Sequence, residues 1–252
     1  MTGPEELPRH LRLLWALPGA RRGPRPRQTI QGIGAAAVAL ADAQGLAAVS
    51  MKAVAEALGM TTMSLYRYLD AKEHLFEVML DQAYGPPAAV EEPADGAGWR
   101  DRLAAWAHAL AGALLAHPWI VEVPMTSPPT TPSVLGWTDR GVAAFAGTGL
   151  DGQQRLSSLL LVDGFVRQHV RLSLQLGLAP TSSPGGADDA TGGAVYATRL
   201  AQLVDPARLP HLAEASSALE DDGDFYTEEL EFGLGVLLDG IAALVERASR
   251  AR

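Results

Sequence analysis

The sequence predicts an all-α fold, and three observations carry that expectation. Apolar residues recur at helical spacing through most of the 252 residues. No β-hairpin signal, internal repeat or strand–helix alternation interrupts them. The stretch Ser50 to Leu69, SMKAVAEALGMTTMSLYRYL, reads as two short helices joined at Gly59, the second crowded with small polar and aromatic side chains.

Taken in order, residues 1–27 hold five prolines and six arginines and are expected to form a flexible basic arm. A helical pattern starts at Gln28, with Ile30, Ile33, Ala37, Leu40 and Ala41 on one face, and stops at Gly45. Ser50 is a plausible N-cap for the next helix, in which Val54, Ala55 and Leu58 face inward. Gly59 turns the chain, and Thr61 can cap a helix running to about Leu69. Asp70 with Glu73 has the spacing of a capping box for a fourth helix, whose stripe is Leu75, Phe76, Met79, Leu80 and Ala83. After a Pro/Gly-rich link at 85–98, Trp99, Leu103, Trp106, Leu110 and Leu114 mark one face of another helix. A further helix is expected near Val134 to Ala146, and a long one over 153–178 that is apolar on more than one side. Residues 180–193 have loop composition, and a last helix runs from about Asp224 to Arg250. The expected organisation is an arm (1–27), a three-helix domain (28–75) and a larger helical domain (76–252).

Composition narrows the function classes. The chain is 48% hydrophobic and 19% charged, as an ordered globular protein should be. It has no cysteine, which removes disulfides, zinc ribbons and thiol nucleophiles. No apolar run approaches the roughly 18–20 residues of a membrane span. The segment Leu11 to Leu17 is too short and wrongly flanked for a signal peptide, so a cytoplasmic location and no membrane partner are expected. The net charge of −9 conceals a segregation. Residues 1–68 carry a net +4 and residues 69–252 a net −13, so the N-terminal part can meet phosphates while the remainder stays acidic.

A helix-turn-helix needs a first helix with small packing residues, a tight turn and a second helix with an exposed N-terminal half. Ala53, Ala55 and Ala57, then Gly59, then Thr61, Thr62 and Ser64 supply these in order, with Leu58 and Leu65 as anchors. Residues 30–80 resemble the N-terminal domain of the tetracycline-repressor (TetR) family, and GMTTMSLYRYLDAKEHL is close to that family's signature. HPW at 117–119 and FGLGVLLDGI at 232–241 resemble its C-terminal domain more loosely. The resemblance implies a DNA-binding domain joined to a helical ligand-binding and dimerisation domain. It further implies a homodimer on double-stranded operator DNA, whose affinity falls when a small molecule binds. By position in the motif, Lys52, Thr62, Met63 and Tyr66 would lie nearest base edges, with Thr61 at the head of the recognition helix. Ser50, Ser64, Arg67, Tyr68 and Lys72 would meet phosphates, as their charges and hydroxyls suit. For Tyr66 and Tyr68 the alternative is packing between helices. In the arm, Arg22, Arg25 and Arg27 lie in GARRGPRPR and are placed to enter a minor groove; the alternative is a solubilising tail.

In the larger domain, Trp106, Leu110, Trp119, Met125, Trp137, Phe145 and Phe165 are the candidate lining of an effector site. Aromatic residues at helical spacing equally serve as plain core. On the long helix Asp163 and Arg167 have i,i+4 spacing and can pair with each other, leaving Gln168 and His169 as polar candidates. An apolar site with a few polar groups suits a polycyclic or aromatic effector. The tetracycline repressor places a histidine near the end of its fourth helix. None occurs over Tyr84 to Val90, so magnesium–tetracycline binding is not expected, nor any metal or cofactor. The resemblance places dimerisation on the helices at 153–178 and 224–250, and the stripe Leu230, Leu234, Leu237, Leu238, Ile241, Leu244 and Val245 could serve it. Burial of that stripe within its own domain is the alternative.

An enzyme is the competing class. Six histidines without HExxH or ExxH spacing, and the lack of a Gly-rich phosphate loop or nucleophile elbow, argue against one. Sensing of a protein partner, or transcriptional activation, remains open on the same fold. The Ala- and Gly-rich composition suggests a high-GC bacterium, where drug export or secondary metabolism would be the controlled process, by analogy alone.

Overall fold

The computed structural model describes residues 7–17, 28–87, 96–125, 128, 130–180, 198–216 and 224–250. The helices are α1 (Arg9–Leu14), α2 (Ile30–Gln44), α3 (Met51–Ala57), α4 (Thr62–Leu65), α5 (Lys72–Tyr84), α6 (Trp99–Ala116), α7 (Pro132–Ala143), α8 (Gly152–Leu176), α9 (Pro210–Ser216) and α10 (Phe225–Arg250). Short 3₁₀ turns occupy Leu46–Ala48 and Pro118–Glu122. Among the described residues there is no strand. None of their helices is long and apolar enough to cross a membrane.

Local chemistry sets the boundaries of the first domain. Thr29 accepts a bond from Gly32 N–H at 3.0 Å and opens α2. Ser50 accepts from Ala53 N–H at 3.1 Å and opens α3, and Thr61 accepts from Ser64 N–H at 3.2 Å and opens α4. Gly59 turns the chain at φ +62°, a conformation residues with a Cβ rarely adopt. The α-helical part of α4 ends at Leu65. The chain then tightens into a turn closed by Tyr68 N–H to Leu65 C=O at 2.9 Å, so the recognition helix is shorter than the pattern to Leu69 suggested. The capping box at Asp70 and Glu73 does not form: Ala71 occupies the N-cap of α5 without a side-chain bond, and Asp70 instead lies 4.0 Å from His74 Nδ1.

Helix α5 carries the first domain into the second. It packs along α2 so closely that a Cβ at Gly34 would sit 3.0 Å from Val78 Cγ1 and 3.1 Å from its carbonyl oxygen. Its other end packs on α7, whose first turn is capped by Asp81 accepting from Ser133 N–H at 2.7 Å. Helices α6, α7 and α8 enclose the second core, and α10 lies along α8. Helix α8 starts at a full capping box, with Asp151 and Gln154 bonding each other's backbone N–H, and ends at Gly177 in the left-handed conformation.

Two expectations change here. The aliphatic stripe of α10 is spent inside the chain: Leu230, Leu234, Leu238 and Ile241 are buried, because α8 offers them an apolar face of its own. And the segment expected as a free arm is in part a docked helix. His10 of α1 is fully buried, with Nε2 2.9 Å from Glu77 Oε2 and its ring stacked on His74 at 4.2 Å between centroids. Leu11 is buried beside it. Proline at 8 begins α1 rather than preventing it, since the first helical turn needs no proline N–H.

Burial lowers the His10 imidazole below its ordinary value of 6.5; the Glu77 carboxylate and, more weakly, Asp70 oppose this, while His74 adds to it. A docked ring that binds protons less readily than a free one holds α1 most firmly above about pH 6.5, and the hold weakens as pH falls below that. An NMR titration of the His10 ring is expected to give a midpoint under 6.5. A midpoint at or above it would overturn this assignment.

Candidate functional site

The exposed surface of the first domain is the end formed by α3, α4 and the turn after α4. Met63 is 76% exposed and Tyr66 45%, so both side chains are open to a partner at this end of the domain. Thr61 and Arg67 are exposed beside them, and Thr62 and Ser64 are half-buried. Lys52 projects from α3, 3.8 Å from Glu56. Lys72 lies over the Phe76 ring, 5.2 Å from its centroid. Ser50 and Thr61 use lone pairs as helix caps, which leaves their O–H groups free in principle to donate. The Thr61 and Ser64 hydroxyls also bond each other at 2.9 Å, which ties up one of the two protons. Tyr68 departs from its expected role: its hydroxyl donates to Gln28 C=O at 3.1 Å, so its proton braces the entry to α2 instead of facing a phosphate. Arg22, Arg25 and Arg27 lie outside the described residues.

The candidate effector residues scatter over three places. Trp106, Trp137 and Leu110 are buried in the core between α5, α6, α7 and α8. There the Trp106 indole N–H donates to Trp137 C=O at 2.9 Å, and that of Trp137 to Tyr84 C=O at 3.2 Å. The relay satisfies an orphan carbonyl at the C-terminus of α5 and links three helices in turn. Trp119 is elsewhere, at the seam between domains: its indole N–H donates to Asp42 Oδ1 of α2 at 2.7 Å, and His117 Nδ1 lies 2.8 Å from the same oxygen. Phe145 stacks on Trp99 at 6.3 Å, is fully buried, and fills the core at the foot of α6.

Three further assignments are corrected by position. Met125 is 58% exposed, since the chain has left the core after Val123. Gln168 is exposed on α8, because it lies two positions from each of the buried Val166 and Val170 and so falls on roughly the opposite side of a 3.6-residue turn. His169 donates from Nε2 to Tyr226 C=O at 3.0 Å, with its ring 4.8 Å from that of Tyr226 and stacked on Phe165 at 6.0 Å. Burial lowers the His169 imidazole, so the neutral ring serves as a staple from α8 to the start of α10. Phe165 lies against Gly233 of α10, where a Cβ would overlap its ring.

The interior polar group that sequence reasoning passed over is at Tyr84. Its hydroxyl is buried, and among the described residues its proton finds no acceptor, while the Arg167 guanidinium approaches its oxygen from the donor side. The ring packs on Trp137 at 5.9 Å, and the Arg167 guanidinium lies 5.7 Å from the ring centroid on α8. Arg167 is held by Asp163 at 2.7 Å, the i,i+4 pair its spacing suggested. Burial raises the Tyr84 phenol, keeping it protonated and a donor. Such an orphan donor costs about 1–3 kcal/mol, which a partner would recover. Its position is legible in the sequence, because Tyr84 closes α5 and opens the Tyr84 to Val90 stretch that holds no histidine. Among the described residues no group of three histidine or acidic side chains is arranged to hold a metal ion.

This geometry can be set beside known proteins. Residues 33–79 match the model of bacterial regulatory proteins of the tetR family, and residues 92–245 match the tetracyclin repressor-like C-terminal domain. The chain belongs to the TetR family. It is a DNA-binding transcriptional regulator rather than an enzyme. It is 34% identical over 246 residues to the HTH-type transcriptional repressor DrrR1 of Streptomyces coeruleorubidus, covering 97% of this chain and 88% of that one. A possible TetR family regulator from Streptomyces coelicolor A3(2) has a solved structure similar to it, with TM-score 0.64 and 29% identity over 85% of this chain and 99% of the other. The fold is also that of ActR from Streptomyces coelicolor, solved in complex with actinorhodin, at TM-score 0.68 and 22% identity over 86% and 96% of the two chains.

Proposed function

We propose that this TetR-family regulator is a repressor that binds a palindromic operator as a homodimer and is released by a polycyclic or aromatic effector. Its site of action is the cytoplasm, and its targets are genes of drug export or secondary metabolism. The observation that carries the effector reading is the Tyr84 hydroxyl, buried beside Trp137 and the Asp163–Arg167 pair with no acceptor for its proton among the described residues. An aromatic molecule bearing an acceptor oxygen would stack on the tryptophans and complete that hydroxyl. Similarity to ActR, which is known bound to actinorhodin, supports the same class. The interior candidates are therefore Tyr84, Trp106, Leu110, Trp137, Asp163 and Arg167. Lys52, Thr62, Met63 and Tyr66 are proposed to face bases; Ser50, Ser64, Arg67 and Lys72 to face phosphates.

The test is fluorescence polarisation with DNA flanking the protein's own gene, titrated with actinorhodin as probe and with magnesium–minocycline as the compound expected to have no effect. Salt-sensitive binding that a probe abolishes is the expected result. Tyr84→Phe keeps the ring and removes the donor. It is expected to leave operator affinity within about twofold and to raise the probe concentration needed for release about tenfold. Equal probe sensitivity in the variant would place the effector elsewhere.

A further inference from the structure

Helix α1 is not part of the helix-turn-helix, yet it is tied at both ends to different parts of the molecule. At one end His10 is buried against α5 through Glu77 and His74. At the other, the Trp15 indole N–H donates to Thr130 C=O at 2.9 Å, a contact across 115 residues that reaches the segment leading into α7. Helices α5 and α7 meet independently through Asp81 and Ser133, and through Tyr84 and Trp137. Helix α1 therefore bridges the joint between α5, which runs from the DNA-binding domain, and α7, which carries Trp137.

The bridge also contains elements that oppose its own closure. Helix α1 ends in a Schellman motif: Leu17 N–H bonds Arg12 C=O at 3.0 Å and Ala16 N–H bonds Leu13 C=O at 3.2 Å. That motif calls for a left-handed residue, normally glycine, and here Ala16 takes it at φ +50°. Among the described residues Ala16 is the one non-glycine residue at positive φ. His10 Nδ1 is buried without a hydrogen-bond partner among them. Helix α1 is thus docked by specific contacts and loosened by specific strains, which is how a segment with two accessible states is built.

We propose that α1 is a releasable clasp across the α5–α7 joint, whose docked or freed state sets how tightly the regulatory half and the DNA-binding half move together. The test is amide hydrogen exchange on the full-length protein at neutral pH, comparing the natural chain with W15F and A16G. W15F removes the indole donor together with part of a ring that is 42% exposed. Exchange at Arg12 to Leu17 is expected to rise about fivefold, the worth of one net hydrogen bond, and exchange in the first turn of α7 (133–136) to rise with it. A16G relieves the left-handed strain and is expected to slow both segments about fivefold. If either variant alters α1 while 133–136 stays unchanged, α1 is an ornament of α5 and the clasp is overturned. Unchanged exchange in α1 overturns it equally.

Discussion

A chain carrying Leu160→Glu and Phe232→Glu is expected to run as a monomer and to lose at least about a hundredfold in operator affinity. Both side chains are 71% exposed, on α8 and α10, with Leu161, Leu172 and Val236 also largely exposed on the same two helices. Apolar surface of that kind on paired long helices is what a symmetric partner would cover. Around a twofold axis each new carboxylate meets its own copy or lies near it, so repulsion adds to the lost burial. A monomer presents one recognition helix to one half-site and forfeits the gain from binding two at once. Because neither residue is in the core, thermal stability of the protomer should fall little, and analytical ultracentrifugation with polarisation binding separates the two effects. A variant that stays dimeric would move the interface to another face.

The second expected result concerns the seam. Asp42→Ala should leave effector-free operator affinity within about threefold, yet reduce the effector-induced loss of affinity about tenfold, within the span of ordinary coupling energies. Asp42 Oδ1 is the acceptor that both His117 and Trp119 share, so it ties the end of α2 to the turn after α6. Its removal leaves the indole N–H of Trp119, which is 3% exposed, without an acceptor, and a drop in stability of about 1–3 kcal/mol should accompany it. Trp119→Phe removes the donor but also leaves a void where the larger indole was buried. It should show the same weakened coupling, with a stability loss that comes from packing and not from an orphaned N–H. If the effector acts undiminished on both variants, the signal does not cross at Asp42.

The parts of the site legible in the sequence are those settled within a few residues of chain. Ser50 and Thr61 cap their helices through N–H groups three positions on, and Gly59 turns at positive φ, so the helix-turn-helix could be located and its exposed face anticipated at Met63 and Tyr66. Tyr68 shows where that reasoning stops. The same motif position predicts a phosphate contact, while the acceptor that takes its proton, Gln28 C=O, lies 40 residues away. The Asp70–Glu73 box is absent although its spacing is present: Ala71 is the N-cap of α5, and Asp70 lies 4.0 Å from His74 Nδ1.

By itself, the sequence determined the all-α class, the charge segregation, the helix-turn-helix and most helix boundaries. Each follows from periodicity, capping and turn chemistry acting locally. Only the tertiary structure decided which face of each helix is spent internally. Periodicity marks a stripe on α10 but not its partner, and α8 takes Leu230, Leu234, Leu238 and Ile241, leaving Phe232 and Val236 outside. The roles of the buried polar groups were decided the same way. His169 turns to Tyr226, Trp119 to Asp42 and His10 to Glu77, while the Tyr84 hydroxyl is left without an acceptor among the described residues. A polar side chain inside a protein is directed by whichever donor or acceptor the fold brings within about 3 Å, and that neighbour is seldom near in sequence.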